Sequence, residues 1–419
     1  MNFEIDQARL DGEIETLAAI SADEAPSVTR VVFSEQDRQA RVWFKERCRE
    51  AGLGLREDAV GNTFARWAGA HPDLPAIGTG SHIDAIPHAG KYDGTVGVLG
   101  GLEAIRALQA SGFVPRRSIE LLLFTSEEPT RFGIGCFGSR LLSGALDTDA
   151  DQRLRESPPA DGSEARNLES VRTAAGFTGV LAGVRLPEHY YSAFVELHIE
   201  QGPILEREGL DLGIVAAIAA PSSFRITVEG EGGHAGARLM PGRRDALCAA
   251  AEIILAVERG ALATGAIDTV ATVGICQVHP GAVNSIPSRV QLAVDLRDIE
   301  AARRDRVLQQ IHAACDEVAE RRNVGVHIEM LNADAPAQSS PQIVAALRAA
   351  CEAEKLSYQE MVSRAYHDSL FMARLVPVAM LFIPSRGGVS HRPDEYSSPE
   401  QIARGVRVLA RTLAALSSV

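Results

Sequence analysis

Four apolar runs constrain this chain more than any other feature. AIGTGSHID (76–84), SIELLLFTSEE (118–128), SAFVELHIEQG (192–202) and VPVAMLFIPS (376–385) each read as a strand running into a polar or acidic end. The stretch inside SIELLLF is nearly continuous, the pattern of a strand covered on both faces of its sheet. GTVGVLGGLEAIRALQASG (94–112) follows the first run, with Val, Leu and Ile at helical spacing. Strands alternating with helices predict an α/β fold built on a mostly parallel sheet. Residues 145–180, rich in Asp, Glu, Ser, Pro and Gly, read as a surface excursion from it.

Between about 213 and 331 the rhythm changes. SFRITVEG (223–230) is a strand and RRDALCAAAEIILAVERG (243–260) a helix stopped by glycine. TVATVGICQV (269–278) and RVQLAVDLRD (289–298) are strands, 299–322 is a helix and VGVHIEM (324–330) a last strand. The order βαββαβ is that of a ferredoxin-like split unit. The predicted organisation is one α/β domain over 1–212 and 332–419, interrupted by an inserted domain over 213–331.

Composition narrows the partners. The 419 residues carry 42 Lys and Arg against 55 Asp and Glu, a net charge of −13. An acidic chain without a basic block repels phosphate backbones, which argues against nucleic acid. No apolar run approaches the roughly 20 residues of a membrane helix, so no membrane partner is expected. MNFEIDQARL lacks the charged-then-apolar pattern of a signal peptide. The six cysteines at 48, 136, 248, 276, 315 and 351 form no CxxC. They read as reduced thiols, and the expected compartment is the cytoplasm.

The chemistry-bearing residues gather at strand ends. GSHIDAIPHAGKYDG (80–94) supplies His82, Asp84 and Asp93, and the next strand supplies Glu127 and Glu128. ELHIEQG supplies His198, and GGVSHRPDE (387–395) supplies His391. Ligands of open α/β sheets sit beyond the carboxyl ends of the strands, so these segments can converge. Imidazole nitrogens with carboxylate oxygens suit zinc, manganese or iron, and the lack of a cysteine ligand favours the harder manganese. The same residues also read as hydrogen-bonded structural histidines and a solvated acidic turn. His71, His88, His189, His279, His312 and His327 have no such context and are given no role. HExxH, P-loop and GxSxG motifs are absent.

Seven ordered segments add a resemblance. GSHIDAIPHAGKYDGTVGVLGGLEA, FTSEEPTRFGIGCFGSR, ELHIEQGP, GGHAGARLMPGRRDA, VNSIPSRVQLAVDLRD, AYHDSLFMAR and SHRPDEYSSPE span about 80 to 400. Together they resemble the hydantoinase/carbamoylase-type amidases of the dinuclear-metal aminoacylase and carboxypeptidase superfamily. Pro129 and Thr130 in TSEEPTRFGI, the AYHDSLFMAR segment and the EYSSPE tail are similar to the branch that cleaves ureidoglycolate. The resemblance implies two divalent ions, manganese or zinc, bridged by Asp93. His82 and His198 would hold one, Glu128 and His391 the other. It implies Glu127 as general base, Asp84 orienting His82, and a cis peptide after Asp93.

The inserted domain would act as lid and dimerisation unit of a homodimer. His234 would assist catalysis, and Asn284 and Arg297 would contact a small ureido substrate bearing a carboxylate. Gln201, Tyr366 and His367 would line the same pocket. The implied reaction breaks the C–N bond of ureidoglycolate, giving glyoxylate, ammonia and carbon dioxide. Its rivals are N-carbamoyl-L-amino-acid hydrolysis and allantoate hydrolysis on the same scaffold, and, more remotely, a non-catalytic binding protein.

Overall fold

The computed structural model describes residues 3–156 and 164–419, which divide into two compact units. One comprises residues up to 216 together with 338–419, and the other 217–337. The sequence places these breaks at 212/213 and 331/332. The two readings differ by four to six residues, and at the first break both fall within strand Leu212–Ile218.

The larger unit is built on a nine-stranded sheet. At its centre Val378–Ile383, Tyr191–Ile199, Ala76–His82 and Ile119–Phe124 lie side by side in parallel. On one flank Leu212–Ile218 runs antiparallel to Val378–Ile383. On the other, Thr63–Trp67 runs antiparallel to Ile119–Phe124, and Gly54–Glu57 to Thr63–Trp67. The sheet is therefore mixed, a correction to the mostly parallel expectation. A buried apolar run marks burial and not direction, and Leu212–Ile218 is as apolar and buried as the parallel strands yet runs antiparallel. The flanking Gly54–Glu57 is short and largely exposed, so it leaves no such mark.

Helices Thr95–Ala110 and Pro399–Ser417 pack together over this sheet. Pro399–Ser417 starts at a capping box. Ser398 Oγ accepts the Gln401 N–H at 3.2 Å and the Gln401 side chain accepts the Ser398 N–H at 2.7 Å. Thr95–Ala110 approaches the sheet closely at Gly97, where an added Cβ would stand 2.3 Å from the Leu197 carbonyl oxygen.

The excursion after residue 145 is not all surface. Its residues 157–163 lie outside those described. Leu168, Val171, Phe177 and Leu181 join an apolar cluster with Phe64 and Phe194. Among the described residues no helix is long and apolar enough to cross a membrane. All six cysteines are free.

The smaller unit is a four-stranded antiparallel sheet. Its spatial order is Val270–His279, Arg289–Asp298, Ala220–Glu229, Gly325–Ala333. Val290, Leu292, Val294 and Leu296 alternate inward and pack with Ile253, Val257, Val307 and Ile311 of helices Ala246–Leu262 and Ala301–Arg322.

Gly97→Ala should destabilise the chain by about 1–3 kcal/mol, because a methyl group there meets backbone that cannot rotate away. A thermal midpoint equal to that of the unsubstituted protein would contradict the close approach.

Candidate metal centre

The parallel strands deliver their carboxyl ends to one edge of the sheet. In the register, His82 lies opposite Phe124 and His198 opposite Phe382. His82 therefore ends its strand beside the turn carrying Glu127 and Glu128, and His198 stands beside the strand that leads to His391. Asp93 sits in the turn before helix Thr95–Ala110. Gly94 makes that turn possible. Its φ is +63°, and a Cβ there would fall 2.4 Å from His82 Nε2. The cis peptide implied after Asp93 is not present. Among the described residues only Ala25–Pro26 and His279–Pro280 are cis.

Asp93 is the centre of the arrangement. Its Oδ1 lies 3.2 Å from His198 Nε2 and 3.5 Å from His82 Nε2. Its Oδ2 lies 3.2 Å from His391 Nε2, which is 3.3 Å from Glu128 Oε1. Two sets of ligand atoms result, His82–Asp93–His198 and Asp93–Glu128–His391. Within each, the atoms lie within 4.8 Å of one another. Both buried imidazoles aim Nε2 inward because Nδ1 is engaged elsewhere. His82 Nδ1 donates to the Asp84 carbonyl at 3.0 Å, and His198 Nδ1 to the Ile199 carbonyl at 2.9 Å.

Asp84 meets the His82 ring at Nδ1 through its carbonyl, and its carboxylate Oδ1 lies 3.7 Å from the same nitrogen. Its carboxylate accepts the N–H groups of Glu127 at 3.2 Å and Glu128 at 3.1 Å, so it fixes the acidic turn. Glu127 itself reaches within 3.7 Å of His82 Nε2. The Cys136 thiol donates to Glu127 Oε1 at 3.4 Å. Below this layer, Glu196 accepts the Ser81 hydroxyl at 2.7 Å and the Ser369 hydroxyl at 2.6 Å.

The remaining pocket residues divide. Gln201 Nε2 donates to Asp93 Oδ2 at 2.7 Å, while its Oε1 is buried without a partner. His367 lies behind His198, ring centres 4.5 Å apart, with Nε2 2.9 Å from the Ser363 hydroxyl. It is buried, and burial followed by the His198 charge holds it well below the ordinary histidine range. His367 thus supports His198 rather than facing an open pocket. Tyr366 stacks on Phe371 at 6.2 Å.

In the smaller unit, His234 is exposed, and its Nδ1 accepts the Gly236 and Ala237 N–H groups at 3.1 and 3.2 Å. A neutral ring there carries its proton on Nε2. Asn284 is the neighbour of His234, its carbonyl accepting the Ala235 N–H at 2.9 Å. Arg297 lies at the far end of strand Arg289–Asp298, its Nε 2.7 Å from Asp295 Oδ1. The sequence reading overlooked Cys136, Ser390 and Glu395 as parts of the centre. Ser390 carried a signal, standing next to His391 in GGVSHRPDE.

The charges suit a cation. Burial raises the Asp93 carboxyl, but hydrogen bonds from His198, His391 and His82 outweigh it and hold the group well below the carboxylate range. Burial, with Glu128 adding and His82 opposing, raises Glu127 well above that range. Burial and then Asp93 push Glu128 up to about 7. The bond to Asp93 lifts His391 to about 9, against partial burial and helped by Glu128. Carboxylates this crowded and buried are stabilised by a positive ion among them. Two imidazoles whose inward Nε2 atoms become donors once they lose a proton, and an unpartnered Gln201 Oε1, complete a set that fits divalent metal.

Comparison with known proteins places these features in context. Residues 78–415 match the family model for peptidase family M20/M25/M40. The chain is 51% identical to a ureidoglycolate hydrolase of Arabidopsis thaliana over 99% of its own length and 88% of that protein's. It is 38% identical to an N-carbamoyl-L-amino acid amidohydrolase of Geobacillus stearothermophilus, over 97% of both. Crystal structures of AtUAH, one in complex with glyoxylate and one with (S)-hydroxyglycine, each superpose with a TM-score of 0.86. In both the identity is 50%, covering 99% of this chain and 98% of that one.

Metal uptake should release protons. His391 titrates at about 9 in the metal-free protein, so below that pH it carries a proton that a ligating imidazole must lose. Apparent Mn²⁺ affinity should therefore fall with pH below about 9, by roughly tenfold per unit for each proton displaced. Calorimetry in buffers of different ionisation enthalpy checks this, and uptake that releases no proton at pH 7 would contradict it.

Proposed function

This chain belongs to peptidase family M20/M25/M40, and from that membership we propose that it is a metal-dependent amidohydrolase acting on ureidoglycolate. The observation that carries the reading is the Asp93 carboxylate, one oxygen turned towards His82 and His198 and the other towards His391 beside Glu128. Likeness to the ureidoglycolate hydrolase, and to AtUAH with glyoxylate and (S)-hydroxyglycine bound, supports the choice of substrate.

Five residues would hold two divalent ions, manganese or zinc: His82 and His198 one, Glu128 and His391 the other, with Asp93 between. Bound there, such ions would polarise a carbonyl and make the attacking water more acidic. The chain's own residues supply the rest. Glu127, its Oε1 held by the Cys136 thiol, takes a proton from the attacking water and passes it to the departing nitrogen. His234 presents Nε2–H to the oxygen on which negative charge develops. Arg297 offers its planar fork to the substrate carboxylate, and Asn284 an amide to the same ligand. Gln201 keeps Asp93 in place, and Tyr366 forms part of the wall.

Attack of one water on the ureido carbon expels ammonia and leaves a carbamate. Loss of carbon dioxide gives hydroxyglycine, which collapses to glyoxylate and a second ammonia. One water enters in all, so atoms balance.

A single copy of the inserted unit does not readily present all three of its residues to one small substrate. His234 and Asn284 lie beyond the start of strand Arg289–Asp298, and Arg297 near its end. Eight residues at ~3.3 Å each separate the two ends by about 26 Å. A homodimer, in which one copy supplies Arg297 and its partner His234 and Asn284, meets that requirement. The free cysteines are consistent with a cytoplasmic setting.

Metal-loaded protein should release ammonia and glyoxylate from ureidoglycolate. Glu127→Gln should lose at least ~10²-fold in rate with metal content kept, as for removal of a general base. Faster turnover of a bulky N-carbamoyl amino acid would move the assignment to the carbamoylases while leaving the chemistry intact. Mixing His234→Ala with Glu127→Gln protein should restore part of the activity through heterodimers. No recovery despite proven subunit exchange would mean that each copy completes its own site.

A further inference from the structure

Glu395 is buried, and it grips the segment of Asp93 at two levels. Its Oε1 accepts the backbone N–H groups of Tyr92 at 2.9 Å and Asp93 at 3.1 Å. Its Oε2 lies 2.9 Å from the Ser390 hydroxyl oxygen, which is in turn 2.8 Å from Asp93 Oδ2. At Gly90 an added Cβ would fall 2.4 Å from the Glu395 Cβ, so the main chain runs directly against this side chain.

Rotation of the Asp93 carboxylate is what these contacts control. The Cβ–Cγ torsion of an aspartate is soft and broad. A quarter-turn would take Oδ1 out of line with His82 and His198, and Oδ2 out of line with His391. Both ligand sets depend on one angle. Gln201 and Ser390 hold Oδ2, and Glu395 holds Ser390 together with the backbone beneath.

We propose that Glu395, acting through Ser390 and the Tyr92 and Asp93 amides, is a positioning residue that sets the Asp93 carboxylate rotation and so completes the Glu128–His391 ligand set. The inference rests on the two-ion reading above. A hydroxyl has one proton to give, so Ser390 cannot donate to Asp93 and Glu395 together. An amide in place of Glu395 removes that conflict. Its oxygen still accepts the two N–H groups, its nitrogen donates to Ser390, and the hydroxyl proton goes to Asp93. Glu395→Gln therefore keeps the arrangement, and Glu395→Ala dismantles it.

The experiment strips and reloads four proteins with Mn²⁺: the unsubstituted chain, Glu395→Gln, Glu395→Ala and Ser390→Ala. Bound metal per chain is measured after desalting, with thermal midpoint, kcat and KM for ureidoglycolate alongside. The unsubstituted chain and Glu395→Gln should hold two ions. Glu395→Ala and Ser390→Ala should fall towards one, with affinity for the second weakened about 10- to 100-fold, as for loss of a group that orients a ligand. Their kcat should fall while KM and midpoint change little. If Glu395→Ala does not fold, Ser390→Ala decides, since it removes a single oxygen. Two ions and full turnover in the folded Ala variants overturn the inference, as does equal damage in Glu395→Gln and Glu395→Ala. Fewer than two ions in the unsubstituted chain overturns the two-ion reading itself, and this inference with it.

Discussion

A buried carboxylate among three imidazoles is the interaction on which the rest of the centre depends. Water is the best solvent for Asp93, and burial removes it. The hydrogen bonds from His198, His391 and His82 more than compensate, so the charge stays in place. Every neighbouring feature serves that placement. The strand register sets two of the imidazoles beside it, and the left-handed Gly94 turns the chain so that Asp93 faces them without a side-chain clash at His82.

Adjacent carboxylates on one turn can do different work because their surroundings differ. Glu128 points to His391, while Glu127 is held by the Cys136 thiol and approaches His82. The turn carrying them is fixed from both sides. Asp84 accepts both of their N–H groups from one side. On the other, the N–H groups of Cys136, Phe137 and Gly138 donate to the carbonyls of Glu127, Ser126 and Thr125 at 2.7 to 2.8 Å. In its proposed role as general base Glu127 needs a fixed place, and a turn clamped in this way gives it little freedom.

Residue patterns carried the strands and the ligand types, and physics explains what they left out. Runs such as LLLF and VAMLFI are legible because burial on both faces selects apolar residues. The edge strand Gly54–Glu57 was not, because it needs no apolar code to pair at an edge. The six elements of the insert lie within a few residues of their sequence-read positions, and strand Arg289–Asp298 alternates inward and outward along its length. His82, Asp93, Glu128, His198 and His391 were read from residue type at strand ends together with the family likeness. Roles that depend on orientation were not readable. Asp84 is a partner of the His82 ring through its backbone oxygen, but nothing in the sequence tells that its carboxylate also accepts the N–H groups of the acidic turn. His367 looks like a pocket residue, but it is packed behind His198. Glu395 stood out only as a marker of a subgroup, because the amides it holds lie some three hundred positions away.

In the proposed reading Arg297 receives the substrate carboxylate. Its guanidinium already faces Asp295, two residues back on the same face of the strand, with Nε at 2.7 Å from Oδ1 and Nη2 at 3.3 Å from Oδ2. Both side chains are partly exposed, so the pair contributes only about 0–1 kcal/mol. Displacing it costs little, whereas an incoming carboxylate shielded from water would gain a stronger, paired bond. Asp295 thus keeps the fork extended and planar until a ligand competes for it. A neutral ligand gains nothing from the exchange, because it offers no charge to replace the one it displaces. On the proposed role of Arg297, the pair would favour ureido acids over ureas without a carboxylate.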